Sequence, residues 1–291
     1  MLRVTSMDAD NAHLFSDFLS RQAKAMLNTG QPVLMLGLVD DDHACGALTG
    51  FMESHSIFRI NGIFVAPQVR RRGGASQLLR ALSELLAEDE QVTAIRIDYV
   101  EFGDEERSLT GFLTAANFQQ NTPEMPFFGV TLAELNKSGI LTKTNGNHSS
   151  IMSFADMPDY LLRSIVYRFS SAGVPIMDVP LISGPVDREI SMGIYDGDTV
   201  PAFIIIANQH QHLHIALLYA EPSHSTRLPM LLSAAICRAN EKYPPETLVT
   251  MQTVNPGSEA LARRIMENCD FKDLSRSFEF EFRDTYPLLF D

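Results

Sequence analysis

The sequence predicts a tandem α+β protein, one fold written twice in a single chain. Three observations carry this. Apolar runs of strand period and helix period alternate along all 291 residues. The order of those runs in the first half recurs in the second. Two landmarks also recur at one spacing, since Leu78 to Leu231 and Phe118 to Phe271 are both 153 residues apart.

The elements read off in order. "NAHLFSDFLSRQAKAML" is helical, with Leu14, Phe18 and Leu19 on one face and Ala25 nearby. "VLMLGLV", the turn "DDDH" and "CGALTGFME" form two joined strands, and "SIFRINGIFVA" is a third. "GGASQLLRALSELLAE" is a glycine turn running into a helix, "VTAIRIDYV" a strand, "EERSLTGFLTAANF" a helix and "MPFFGVTLAEL" a late strand. The polar stretch "NKSGILTKTNGNHSS" breaks the pattern and reads as a linker. The boundaries expected are therefore a first domain over 1–137, a linker over 138–150 and a second domain over 151–291.

The second half follows the same order. "DYLLRSIVYRFSSAG" is a helix, "EISMGIY-DGD-TVPAFIIIAN" a hairpin and "HLHIALLYAEP" a strand. "RLPMLLSAAICRANEKY" is a helix, "ETLVTMQTV" a strand and "SEALARRIMENCDF" a helix. "SRSFEFEF" is a last alternating, half-buried strand.

Composition narrows the class. Hydrophobic residues at 45% and charged residues at 20% are those of a soluble globular chain. The start, "MLRVTSMDADNAH", is polar and acidic, unlike a signal peptide, and no apolar run is long enough to span a bilayer. Cys45, Cys237 and Cys269, odd in number and far apart, read as free thiols in a reducing compartment. A cytoplasmic protein with no membrane partner is expected. The net charge of −13 argues against nucleic acid as a partner. Neither half is basic: 11 Lys+Arg against 18 Asp+Glu up to Ser138, then 12 against 18.

Against that background "VAPQVRRRGGASQLLRAL", Val65 to Leu82, is a local positive spot. A helix start leaves its first backbone N–H groups without partners, and the macrodipole adds positive charge there. Glycines let the turn adopt conformations closed to other residues and let an anion approach the backbone. Guanidinium groups, glycines and a helix start, in that order, suit a pyrophosphate.

Arg70, Gly73 and Ala75 fill the pattern of Arg or Gln, two residues, Gly, one residue, Gly or Ala, with "FVAP" before and "LL" after. This resembles the acetyl-CoA-binding motif of the GNAT acetyltransferase superfamily. The resemblance covers most of residues 1–137 in element order and extends to "FLTAANF"; residues 258–282 resemble the same fold more faintly. It implies two GNAT-like domains, each a mixed, mostly antiparallel sheet flanked by helices. It also implies acetyl-CoA as the acyl-donor substrate, no metal, and a binding set of Phe64, Val65, Arg70, Arg71, Arg72, Gly73, Gly74, Ala75 and Ser76.

The departures bear on chemistry. Arg71 stands where the family usually has glycine, so this loop is bulkier and more basic. The tyrosine that serves many members as general acid maps to Leu113 in the first half and Met266 in the second, and neither donates a proton. The strand before the loop carries Arg59 where a base-forming glutamate is common. Glu53, Asp98, Tyr99 and Glu101 are other candidates, Tyr99 and Glu101 foremost; such groups at strand ends are more often structural than catalytic, which leaves the catalytic residues unassigned, and a water chain is an alternative base. Positioning the thioester against a deprotonated amine supplies much of the rate in such a site.

In the second half the corresponding loop reads "SHSTRLPM". Both glycines are gone, Pro229 removes a donor near the helix start, and only Arg227 is left to touch a phosphate. A degenerate copy is expected. His210, His212 and His214 share one side of a strand, which suits zinc or a general base. A polar strand face is the preferred reading, because no Cys or acid pair completes a metal set. The function expected is acetyl transfer to an amine, a small molecule or a lysine side chain. The alternative is an acyl-CoA-binding or sensing module without chemistry.

Overall fold

The computed structural model describes residues 1–8, 10–139, 150–171, 185–209, 212–253 and 256–282. The chain opens with strand β1 (Leu2–Ser6), a 3-10 segment (Ala12–Phe18) and helix α1 (Arg21–Thr29). The single helix expected from residue 11 is thus two pieces. The chain extends at Leu19 (ψ 135°), and Ser20 restarts the helix by accepting the Ala23 N–H at 3.0 Å. The runs that follow fold as expected: β2 (Leu34–Asp40), β3 (His43–Met52), β4 (Ile57–Val65), α2 (Gly74–Ala87), β5 (Ala94–Val100) and α3 (Asp104–Ala115). A short polar strand, β6 (Gln119–Asn121), comes next; neither it nor β1 has a pattern legible in sequence.

The run from Met125 is a strand only as far as β7 (Phe127–Thr131). Thr131 then caps a single helical turn, α4 (Leu132–Leu135), by accepting the Glu134 N–H. Beyond it lie β8 (Ile151–Ser153), α5 (Asp159–Ser171), β9 (Met192–Asp196), β10 (Thr199–Gln209) and β11 (His212–Ala220). They are followed by α6 (Leu228–Lys242), β12 (Leu248–Gln252), α7 (Pro256–Ile265), β13 (Lys272–Asp273) and β14 (Ser275–Glu281).

Among the described residues the strands form two seven-stranded sheets, ordered β1-β2-β3-β4-β5-β14-β6 and β13-β7-β12-β11-β10-β9-β8. In each, one neighbouring pair is parallel, β4 with β5 and β11 with β12, and the rest are antiparallel. These are two mixed α+β sheets flanked by helices, as the resemblance implies.

Each sheet contains one strand from the opposite half of the chain. β14 lies between β5 and β6, its Ser275–Glu281 facing Val100–Ala94 on one side and its Ser277–Glu279 facing Asn121–Gln119 on the other. β7 lies between β12 and β13 in the second sheet. The compact units are therefore Met1–Pro123 joined by the chain from Ser275, and Glu124–Leu274. They do not follow the boundaries at 137 and 151 expected from sequence. Those boundaries track where polarity changes along the chain, whereas strand pairing ignores covalent order. Of the expected linker, residues 140–149 lie outside the described residues.

The repetition is detailed at backbone level. β4 and β11 are nine residues long, and each is bulged where it meets its antiparallel neighbour. Thr49 faces Gly62 while Gly50 faces Ile60, which leaves Asn61 over; Ile205 faces Leu217 while Ile206 faces Ile215, which leaves Ala216 over. In the first unit the apolar face of α2 (Leu78, Leu79, Leu82, Leu86) buries against Leu38, Leu48, Ile60, Ile95, Ile97 and Phe278. Among the described residues no helix is long and apolar enough to cross a membrane.

Candidate acyl-donor site

The bulge at Asn61 positions the site. β4 pairs with β5 only from Ile57–Ala94 to Ile60–Ile97. Past that point β5 continues against β14, while among the described residues Gly62–Val65 keep only β3 as a strand partner. The two parallel strands separate, and the backbone of β4 beyond the bulge is left with one unpaired edge. A cleft of about 730 Å³ opens there. Its walls are the end of β4 (Ile63, Phe64, Val65), the arginine-glycine loop with the start of α2, and one side of α3.

The loop follows from its residues. Pro67–Val69 make one 3-10 turn, then Arg71 (φ 64°) and Gly73 (φ 80°) both take left-handed conformations. Gly73 is the N-cap of α2 and does so without steric cost, whereas Arg71 carries a Cβ. Gly74 is buried, and a Cβ there would meet Leu38 Cδ2 at 2.5 Å, so its absence seats the helix start against β2. Gly74, Ala75 and Ser76 of the first turn of α2 line the same opening as the loop, where a helix start leaves its N–H groups without intrahelical partners.

Of the nine residues expected to hold the donor, eight line this cleft: Phe64, Val65, Arg70, Arg71, Gly73, Gly74, Ala75 and Ser76. Arg72 does not. Its guanidinium is committed to Asp40 at the end of β2, with Nη1 to Oδ2 at 2.6 Å and Nη2 to Oδ1 at 3.2 Å. Arg72 holds the Asp40 carboxyl below the usual carboxylate range, and the terminal amine of Met1 adds to this. Arg70 is also engaged locally. Its Nε donates to the Val65 carbonyl at 3.0 Å, and its guanidinium lies 5.7 Å from the centre of the Phe64 ring, which stacks on Phe18.

The sequence reading missed the third wall. Glu106, Ser108, Leu109, Gly111, Phe112 and Ala115 of α3 line the cleft. Glu106 is fixed by accepting the Gly103 N–H at 2.9 Å, which caps the helix. The one signal in sequence was Gly111, a glycine inside a helix, where it costs stability unless space is needed. A Cβ on Gly111 would meet nothing within 4 Å, so the space it leaves belongs to the cleft.

None of the proposed acids and bases lines the cleft. Arg59 pairs with both Glu53 and Asp98, and Arg96 reaches Glu279 at 2.9 Å, so this charged set knits β4, β5 and β14 together. Tyr99 and Glu101 share a different network. Thr110 of α3 donates to Glu101 Oε2 at 2.8 Å and lies 2.6 Å from the Tyr99 hydroxyl, which leaves the phenol as donor to Thr110. Burial raises the Tyr99 pKa. Leu113 and Met266, where a general-acid tyrosine is common, are buried apolar residues.

In the second unit the matching loop is a 3-10 segment, Pro222–Arg227, running straight into α6 with Pro229 in its first turn. No residue from 222 to 230 takes a positive φ, so the concavity of the first loop is missing. Of the histidines, His210 lies outside the described residues. His214 stacks on Phe127 at 5.4 Å and bonds Thr250 Oγ1 at 3.0 Å, and burial lowers its pKa to about 4. It is a neutral histidine packed into the sheet. Among the described residues no group of three His, Cys, Asp or Glu side chains is placed to hold a metal ion.

Comparison with known proteins agrees with this geometry. Residues 5–109 match the model of the acetyltransferase (GNAT) family. No curated protein sequence matches the chain. Among solved structures, a tandem GNAT protein from the clavulanic acid biosynthesis pathway aligns over 98% of this chain and 100% of its own, at 13% identity and a TM-score of 0.55. A GCN5-related N-acetyltransferase from Sphaerobacter thermophilus aligns over 98% and 97% at 12% identity (TM-score 0.45). A probable N-acyltransferase from Enterococcus faecalis aligns over 96% and 72% at 12% identity (TM-score 0.48). The chain has a tandem GNAT fold, and residues 5–109 match the acetyltransferase (GNAT) family model.

Proposed function

We propose that the first unit binds acetyl-CoA in the cleft between β4, α2 and α3 and transfers its acetyl group to a primary amine. The observation that carries the reading is the convergence on one opening of the left-handed loop, the α2 N-terminus and the unpaired edge of β4. Loop amides and guanidinium groups suit the pyrophosphate. The free edge of β4 offers N–H and C=O groups to the amide-bearing pantetheine arm in the manner of an added strand. The amine nitrogen attacks the thioester carbonyl, the C–S bond breaks, the acetyl group stays on nitrogen, and the proton lost by the amine returns to the departing thiolate. Chain charge of −13 favours a cationic acceptor such as a polyamine, an aminoglycoside-like amine or a lysine side chain.

Incubating the protein with acetyl-CoA and a panel of such amines, while following free thiol, tests the reading. Thiol release dependent on one amine class is expected. A second reading, an acyl-CoA-binding module without chemistry, draws on Leu113 being buried and on Tyr99 and Glu101 being tied to Thr110 behind the cleft. Calorimetric binding of acetyl-CoA with no turnover of any amine is the result that favours it.

A further inference from the structure

The two helices that wall the cleft are held in different ways. α2 buries residues along its whole length, from Gly74 through Leu78, Leu79 and Leu82 to Leu86. Among the described residues of α3 only Leu113 is buried, with Ala116 behind it at the C-cap. Leu109 and Phe112 are half-buried and line the cleft. Packing therefore seats the last turn of α3, whereas the earlier turns, which carry Glu106 and Ser108, have little apolar surface to anchor them.

A polar tie at Thr110 takes the place of packing. Its hydroxyl donates to Glu101 Oε2 at 2.8 Å and accepts from the Tyr99 hydroxyl at 2.6 Å. Among the described residues, the other hydrogen bonds of α3 side chains stay within the helix and its cap. Glu101 is only 15% exposed, and Arg276 of β14 neutralises it through both carboxylate oxygens.

The second unit lacks this tie. Phe278 faces Ile97 in the first sheet and Phe128 faces Met251 in the second, each phenylalanine 1% exposed, so the positions correspond. Two residues before them stand Arg276 and Pro126, and two residues beyond Ile97 and Met251 stand Tyr99 and Thr253. There Thr253 Oγ1 donates to the Pro126 carbonyl at 3.2 Å, with no charge involved. At the spacing of the repeat Thr110 falls on Arg263, which pairs with Glu259 on its own helix and lies over the Phe128 ring. The fold thus builds the corresponding helix without the ionic network, which is present in the copy that carries the arginine-glycine loop.

We infer that Arg276 is a positioning residue of the acyl-donor site: through Glu101 and Thr110 it fixes the early turns of α3 at the separation from β4 that the donor fills. This rests on the acetyl-CoA reading above. None of the three residues lines the cleft, so they act on the donor through the wall.

The test is calorimetry with acetyl-CoA on the full chain, comparing wild type, Arg276→Met, Arg276→Lys, Thr110→Val and the double variant of Arg276→Met with Thr110→Val. Arg276→Met and Thr110→Val should each bind about 5- to 30-fold more weakly. The double variant should lose little more than the weaker single one, because both changes act through one carboxylate. Arg276→Lys keeps the charge but not the fork, and should recover part of the affinity. Hydrogen exchange of the unliganded proteins separates wall from fold: in the weakened variants α3 amides should exchange faster while those of α2 keep wild-type protection. Unchanged affinity, additive losses, or equal loss of protection in α2 and α3 each overturns the inference and leaves the acetyl-CoA reading intact. Failure of wild type to bind acetyl-CoA overturns both.

Discussion

Arg276, on the last strand, makes two hydrogen bonds to the carboxylate of Glu101, Nε to Oε2 at 3.1 Å and Nη2 to Oε1 at 3.3 Å. The same carboxylate accepts from Thr110 on α3, the helix that forms one wall of the cleft. A residue from the second half of the sequence thereby helps fix the wall of a site otherwise built from the first.

The pair makes stability depend on pH. Burial alone would raise the Glu101 pKa, but the Thr110 hydroxyl and the Arg276 guanidinium outweigh it and hold the pKa below its ordinary value of 4.5. A depressed carboxylate stabilises the fold fully above its unfolded pKa, and that stability is lost as pH falls through the folded value. Arg276→Met should cost about 1–3 kcal/mol at pH 7, since both side chains are mostly buried. The gap from wild type should narrow in acid. Denaturant titrations at pH 7 and pH 3.5 check this, and an equal gap at both would assign the loss to packing alone.

The exchanged strands govern what a truncation does. A fragment of residues 1–137 keeps β7 but loses β14, and with it Phe278, which is 1% exposed between β5 and β6. Loss of one such phenylalanine side chain costs about 3–5 kcal/mol, and the fragment loses a whole strand besides. It should aggregate. Residues 1–123 fused through a flexible linker to 275–282 should be soluble and melt cooperatively. Size-exclusion chromatography of the two decides the matter; a monomeric 1–137 fragment would contradict the pairing.

Anchoring of the loop gives a coupled pair. Arg72→Ala and Asp40→Asn remove opposite ends of one ion pair, so their effects on acetyl-CoA affinity should be alike, and the double variant should add little to either. Arg227→Ala, in the degenerate loop, should leave affinity unchanged. Gly73→Ala should destabilise the protein by about 1 kcal/mol through its left-handed backbone alone, since an added Cβ meets nothing within 4 Å. Gly73→Pro fixes φ near −65°, against the observed 80°, and should abolish binding. Calorimetry and thermal melts report the two effects separately.

His214 sets an acid limb in the second unit. Its pKa is lowered by burial from 6.5 to about 4, so between those values the unfolded chain binds a proton that the folded one refuses. Stability should therefore fall as pH drops from about 6.5 to about 4, by at most about 3 kcal/mol. His214→Gln, which cannot charge, should flatten that stretch of the stability–pH curve. An unaltered slope would place its origin elsewhere.

Sequence determined the repeat, the loop and most elements, because each is written in residues close along the chain. The spacing of Leu78, Leu79, Leu82 and Leu86 sets a helix face, and Gly73 and Gly74 mark its start. Arg71 stood out in sequence as an arginine where glycine is usual, but only the backbone shows that it bears a positive φ. Tertiary structure alone decided that Arg70 and Arg71 line the cleft and Arg72 does not, since Asp40, the partner that takes Arg72 away, is 32 residues distant in sequence. It alone brought in the α3 wall, with Glu106 and Gly111. It also decided the exchange of β7 and β14. β14 alternates apolar and polar residues and β7 is a short run buried from Phe127 to Val130, but strand pairing is made by backbone groups that every residue carries. Nothing in "SFEFEF" says which sheet it joins.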